Sequence, residues 1–187
     1  MITENRIKDW IKISAFENVF DWTKSFITDF KTLFENVTFH DSTLATTHLN
    51  FENKLIISFC LDVHWNKEYS YEAETDEDWP YLIIKINDVI NLYLDTKDSI
   101  KIISDFTTIL LDKNLFENLR NLNLPSEILP LDLFKRLSNL TEIHKTKFCD
   151  VGGGGLELLH GREIEIILVT EKGEYLEPSF DRLKTNL

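Results

Sequence analysis

The feature that most constrains this chain is a succession of short apolar runs separated by turn-forming residues instead of helices. Thr43 to Phe51 is rich in threonine and ends at Glu52-Asn53-Lys54, a turn-like interval. Leu55 to Trp65 (LIISFCLDVHW) follows, and the two runs read as an antiparallel hairpin. Tyr81 to Ile86 (YLIIKI) starts another strand after Pro80, and Leu92–Leu94 and Ile100–Ile103 add two short ones around Asp95–Ser99. Toward the C-terminus, Thr141–Asp150, Leu156–Leu159 and Glu163–Thr170 read as strands. They are parted by Gly152–Gly155 and by His160-Gly161-Arg162, and Lys172-Gly173-Glu174 turns the chain before Tyr175. Strands that follow one another in this way form a meander and not βαβ units.

Helical spacing occurs in two places. Ser14 and Glu17 fit a capping box for a helix beginning near Ala15. Phe16, Phe20, Ile27, Phe30, Leu33 and Phe34 recur at three- and four-residue steps, with Val19, Trp22 and Phe26 beside them. Asp21, Lys24, Asp29, Lys31 and Glu35 take the other side, which predicts an amphipathic helix of about five turns packed on the sheet. Between Phe106 and Asn139 the leucines return to helical spacing, interrupted by Pro125 and Pro130, and predict two short helices around a turn. The expected fold is α+β: a largely antiparallel sheet packed against an N-terminal amphipathic helix, with short helices in the middle of the chain. Residues 1–187 form a single domain on this reading, since no linker or repeat divides them.

A chain of this length buries about 70% of its extended surface, enough to fold without disulfides or a structural metal. Thirteen phenylalanines imply a core built from large rings. Cys60 lies inside an apolar run and Cys149 precedes the glycines; with no export signal at the N-terminus, no disulfide between them is expected. No window approaches the ~20 apolar residues of a membrane span, and a cytoplasmic location is the expectation.

The formal charge of -12, from 32 acidic and 20 basic residues, repels nucleic acid and anionic membranes alike. It favours cationic partners, because long-range attraction raises the encounter rate with a basic protein. Plain solubility explains the same charge.

No complete catalytic or cofactor motif is present, so neither a cofactor nor enzymatic activity is expected. His40, His48 and His64 fall in the first strands with Asp41 and Asp62 nearby, and a small metal-dependent hydrolase using His40, Asp62 and His64 is the alternative reading. No two of the histidines stand at zincin spacing, and no metal site is assigned. His40-Asp41-Ser42 has the order of a turn leading into a strand, not the geometry of a triad. Gly152–Gly155 lacks the Lys-Ser/Thr of a phosphate loop and reads as a mobile loop or wide turn between strands.

The least ordinary stretch is Lys67 to Trp79. From 68 to 78 it carries six acidic residues and no basic one, half of the net charge. Tyr69, Tyr71 and Trp79 are interleaved with the carboxylates, and Trp65 stands just before. Such a segment is either a solvated hairpin loop or a binding edge, in which aromatics anchor a partner and carboxylates steer it. On the second reading the contacts are Trp65, Glu68, Tyr69, Tyr71, Glu72, Glu74, Asp76, Glu77, Asp78 and Trp79.

The order of these pieces across residues 37 to 110 resembles the immunity proteins of bacterial polymorphic toxin and contact-dependent growth inhibition systems. The residues that carry the likeness are His40, Asp41 and Ser42 at the start of a strand, the hairpin, the acidic connection, and a strand ending in Asn87, Asp88 and Val89. The resemblance implies a small cytoplasmic binding protein that blocks one cognate toxin domain, with basic nucleases prominent among such toxins. It implies no nucleic-acid or membrane partner.

Overall fold

The computed structural model describes residue 11 and residues 19–50, 54–66, 79–95, 102–111 and 140–178. Among them lie ten strands and one short α-helix. The order is β1 (Phe26–Thr28), α1 (Phe30–Asn36), β2 (Thr43–Leu49), β3 (Leu55–Cys60), β4 (Tyr81–Ile86), β5 (Val89–Asp95), β6 (Ile103–Leu110), β7 (His144–Asp150), β8 (Gly155–His160), β9 (Ile164–Val169) and β10 (Tyr175–Leu176). They build two antiparallel sheets. One runs β1-β9-β4-β3-β2 with β10 also on β9, and the other runs β5-β8-β7-β6.

The hairpin read from the sequence is present: β2 and β3 pair from Thr43↔Cys60 to Leu49↔Leu55. The fold is nonetheless mostly β, and the α+β expectation is corrected. The long helix over residues 15–35 is not formed in its described part. Trp22–Lys24 is a 3-10 turn, Phe26–Thr28 is a strand paired to Ile164–Ile166 of β9, and only Phe30–Asn36 is helical. Two aspartates break the pattern. Asp21 Oδ1 accepts from the Thr23 N–H and starts the 3-10 turn, while Asp29 Oδ1 accepts from the Thr32 N–H at 2.7 Å and starts α1. Phe, Trp, Val and Thr are mediocre helix formers, so a sheet edge at β9 outcompetes the helix. The helical spacing of the aromatics is real, but its residues go to different places. Phe30 and Leu33 enter one core, Phe20 enters another, and Ile27 is 68% exposed. In the second helical region, Ile103–Leu110 is strand β6, paired along its length with β7; the helices expected beyond it lie outside the described residues.

The alternation of strand side chains explains how the two sheets are held. Leu55, Ile57 and Phe59 of β3, with Leu82, Ile84 and Ile86 of β4, point to the same side as Ile164, Ile166 and Leu168 of β9. They meet Phe148, Leu156 and Leu158 from the second sheet, and Phe59 lies 4.9 Å from Phe148 between ring centroids. Phe30, Phe34, Phe39 and Phe106 complete the aromatic cluster, with centroids 4.8–6.0 Å apart. The fully buried rings Phe30, Phe39, Phe59 and Phe148 each contribute about 2–3 kcal/mol by burial, and the partly buried Phe34 and Phe106 less. The opposite face of the first sheet is also covered, by Ile56, Cys60, Tyr81, Ile83, Ile167 and Val169 packed with Ile11, Phe20, Val63 and Trp79. Burial on both faces is why β3 and β4 read as unbroken apolar runs. Where that face turns polar, Lys85 Nζ sits 2.9 Å from Glu165 Oε2 and 4.1 Å from the centre of the Trp22 ring. Burial alone would raise the Glu165 pKa, but the bonds from Lys85, Asn87 and Ser25 outweigh it and hold it low.

The chain crosses from the first sheet to the second between β4 and β5, and back between β8 and β9. The two crossings lie side by side, with the Gly161 N–H donating to the Asp88 carbonyl at 3.1 Å. A Cβ on Gly161 would come within 3.1 Å of Leu140 Cδ2 and 3.2 Å of the Asp88 Cβ, so a larger residue would need both neighbours to give by a few tenths of an ångström.

Candidate functional site

Three chain segments meet beyond the ends of α1, β3 and the start of β6. Asn66, fully buried, clamps the first two. Its Nδ2 donates to the Thr38 and Asp62 carbonyls, each at 2.8 Å, and its Oδ1 accepts from the Thr38 N–H at 2.9 Å. Ser42, also fully buried, accepts from the Asp62 N–H through its hydroxyl, and Asp62 accepts from the His64 N–H at 2.7 Å. The third segment is tied by the Asp41 N–H to the Ile103 carbonyl and by the Ile103 N–H to the Ser42 carbonyl. A buried polar network with its partners satisfied holds its backbone in one arrangement.

That frame places Asp41 at φ 61, the only non-glycine residue with positive φ among those described. Asp is one of the few residues that tolerate this conformation. Its carboxylate points outward and organises two neighbours. His40 Nδ1 lies 2.9 Å from Asp41 Oδ2, and the Trp65 indole N–H donates to the same oxygen at 3.2 Å. The His40 and Trp65 rings meet edge to face with centroids 5.4 Å apart. His40 and Asp41 have side chains 48% and 43% exposed, and Trp65 is 55% exposed. The indole is therefore outside the core, yet held at one angle by a hydrogen bond and a ring contact.

Of the contacts predicted from the sequence, Trp65 is on this surface. Trp79 is not: at 5% exposure it packs in the core on the outer face of the first sheet. Its ring follows the apolar residues of β4 inward. Glu68, Tyr69, Tyr71, Glu72, Glu74, Asp76, Glu77 and Asp78 lie outside the described residues, between Asn66 and Trp79. The hydrolase set is not brought together. Asp62 is 5% exposed with its carboxylate turned onto the His64 backbone, and His40 engages Asp41. Among the described residues no group of three or more His, Cys, Asp or Glu is arranged to hold a metal ion. Asn66 and the structural part played by Asp41 were not legible as such in the sequence; the His-Asp-Ser run was the only signal, and it marks the place without giving the conformation.

The glycine run is a turn between strands, one of the two forms expected for it, and it joins β7 to β8. Asp150 is 6% exposed, and its Oδ1 accepts from the Gly152 and Gly154 N–H groups at 2.9 and 2.8 Å. The N–H groups that would meet a phosphate are taken by the chain's own carboxylate. Cys60 and Cys149 are both free thiols.

His160 is the other buried polar group of note. Its Nδ1 bonds the Gly161 carbonyl, so Nδ1 carries the proton and Nε2 accepts. Thr146 Oγ1 donates to it at 2.8 Å and in turn accepts from Thr108 Oγ1 at 2.9 Å. Burial lowers the His160 pKa to about 4; the Gly161 bond opposes the shift and the nearby His144 adds to it. The ring is neutral core, packed 4.9 Å from Phe30.

Comparison with protein-family models, curated proteins and solved structures finds no match to this chain. Among the described residues no helix is long and apolar enough to cross a membrane.

Proposed function

We propose that this chain is a binding protein, an immunity protein that binds and neutralises a cognate bacterial toxin domain. The observation that carries the reading is Trp65: a large aromatic more than half exposed, hydrogen-bonded to the Asp41 carboxylate, and three residues before the acidic segment 68–78 in the sequence. An exposed ring already held in one orientation loses little freedom on docking, which is the property of an interface anchor. The adjacent carboxylates attract a basic partner and pair with its Lys and Arg at the rim. A basic nuclease fits this surface well, since a groove built for phosphate accepts carboxylates and is then closed to substrate. Acting on a toxin in this way places the protein in the cytoplasm of the cell it protects.

The test is binding to the toxin domain encoded in the adjacent reading frame. A complex that forms at equal stoichiometry, blocks the toxin and weakens with added salt supports the reading. Reversing Glu72, Glu74, Glu77 and Asp78 to lysine lowers affinity by at least about a hundredfold if several of these pairs form. Absence of any complex removes the proposal, and an affinity and salt dependence untouched by the four reversals removes the acidic segment from it.

A further inference from the structure

The Asp41 carboxylate is only half used. Oδ2 takes both the His40 and the Trp65 contacts, while Oδ1 has no hydrogen-bond partner among the described residues and the side chain is 43% exposed. Beside it stands the exposed indole of Trp65, whose N–H edge the carboxylate engages and whose ring meets His40 edge to face. An open carboxylate oxygen next to an aromatic face is a receptor for a cation. We infer that Trp65 and Asp41 together form a subsite for one arginine side chain of the partner, with the guanidinium stacked on the indole and one of its N–H groups donating to Asp41 Oδ1. This rests on the binding role proposed above and names the group the surface selects.

Arginine suits the arrangement better than lysine for a geometric reason. A guanidinium is planar, is weakly hydrated and carries donors in its own plane, so it can lie on a ring and still reach a carboxylate at the ring's edge. An ammonium is a hydrated point charge and satisfies one of the two at a time. The positive φ of Asp41 and its backbone bond to Ile103 set where the side chain leaves the backbone, and the His40 and Trp65 contacts hold the carboxylate in place. The Oδ2 contacts to His40 and Trp65 leave Oδ1 as the only oxygen to offer.

The test uses the full chain with short capped peptides of arginine or of lysine, and follows the Trp65 indole N–H resonance, assigned with Trp65→Phe. The arginine peptide should shift this resonance in a saturable way, with an affinity at the site at least about fivefold above that of the lysine peptide. Asp41→Asn is the decisive variant, because asparagine also adopts positive φ and preserves the fold. It should weaken the arginine response about tenfold, the loss of one charge-assisted bond. An arginine peptide that binds without moving Trp65, an equal response to lysine, or an Asp41→Asn response equal to that of the unaltered chain each overturns the inference. The readout needs no toxin, so a failed subsite and a failed immunity role are told apart: the first leaves the toxin complex intact, the second leaves the peptide response intact.

Discussion

Two turns in this protein are each organised by an aspartate, and they use it in opposite directions. At the β7–β8 turn Asp150 is buried and its Oδ1 is spent on the N–H groups of Gly152 and Gly154. At the turn before β2, Asp41 is exposed and keeps an oxygen for something outside. The same contrast holds for the histidines, with His160 enclosed between Thr146 and Gly161 and His40 out on the surface. Groups turned inward set stability, because removing them leaves buried partners unmet. Groups turned outward cost the fold little when removed, so their worth must be read in binding.

The sharpest test of this contrast is Gly155→Ala. The new Cβ would lie 2.0 Å from the Phe148 carbonyl oxygen, at φ 146, so the β7–β8 hairpin must shift. A loss of about 4 kcal/mol in urea unfolding is expected. Gly153→Ala, at φ 82 with nothing within 4 Å, should cost only about 1 kcal/mol. Equal effects would mean that conformation and not the close approach governs the turn.

Next in size is the pH dependence of His160. Its folded pKa is lowered from 6.5 to about 4, so the unfolded chain takes the proton first as pH falls. The stability it contributes is complete above pH 6.5 and is lost progressively toward pH 4, by about 3 kcal/mol. Urea midpoints measured across that window should show a slope that His160→Gln flattens; an unchanged slope would assign it to other groups. Asp150→Ala should follow at about 2 kcal/mol, since two N–H groups lose their acceptor.

The smallest effect on stability belongs to Trp65→Ala, expected at about 0.5 kcal/mol or less, as for other exposed sites. The same substitution should weaken a toxin complex by about thirtyfold or more, as loss of an interface anchor does. Large destabilisation with unchanged binding would reverse the assignment of the two turns.

Strand residues were readable because their signal is local. LIISFC and YLIIKI are short continuous apolar runs bounded by turn residues, and β2 and β4 form where the pattern places them. The run expected to reach Trp65 ends as a strand at Cys60 and turns at Val63–Trp65. The aromatic run from Phe16 to Phe34 misled for the opposite reason. Its three- and four-residue spacing is a true property of the sequence, but Phe26–Thr28 found hydrogen-bond partners on β9, about 140 residues away, which no local pattern records. Trp65 and Trp79 look alike in the sequence, and burial separated them.

By itself, then, the sequence determined the antiparallel strands, the ring-rich core and the place of the excess negative charge, since periodicity and composition act over a few neighbours. Only the tertiary structure decided which aromatics are core, that the glycine run closes on Asp150, and that Asp41 faces out with an oxygen to spare. Those outcomes depend on contacts between residues far apart in the chain, such as Asp41 with Trp65 and Ile103, and it is the packing of the two sheets that brings them together.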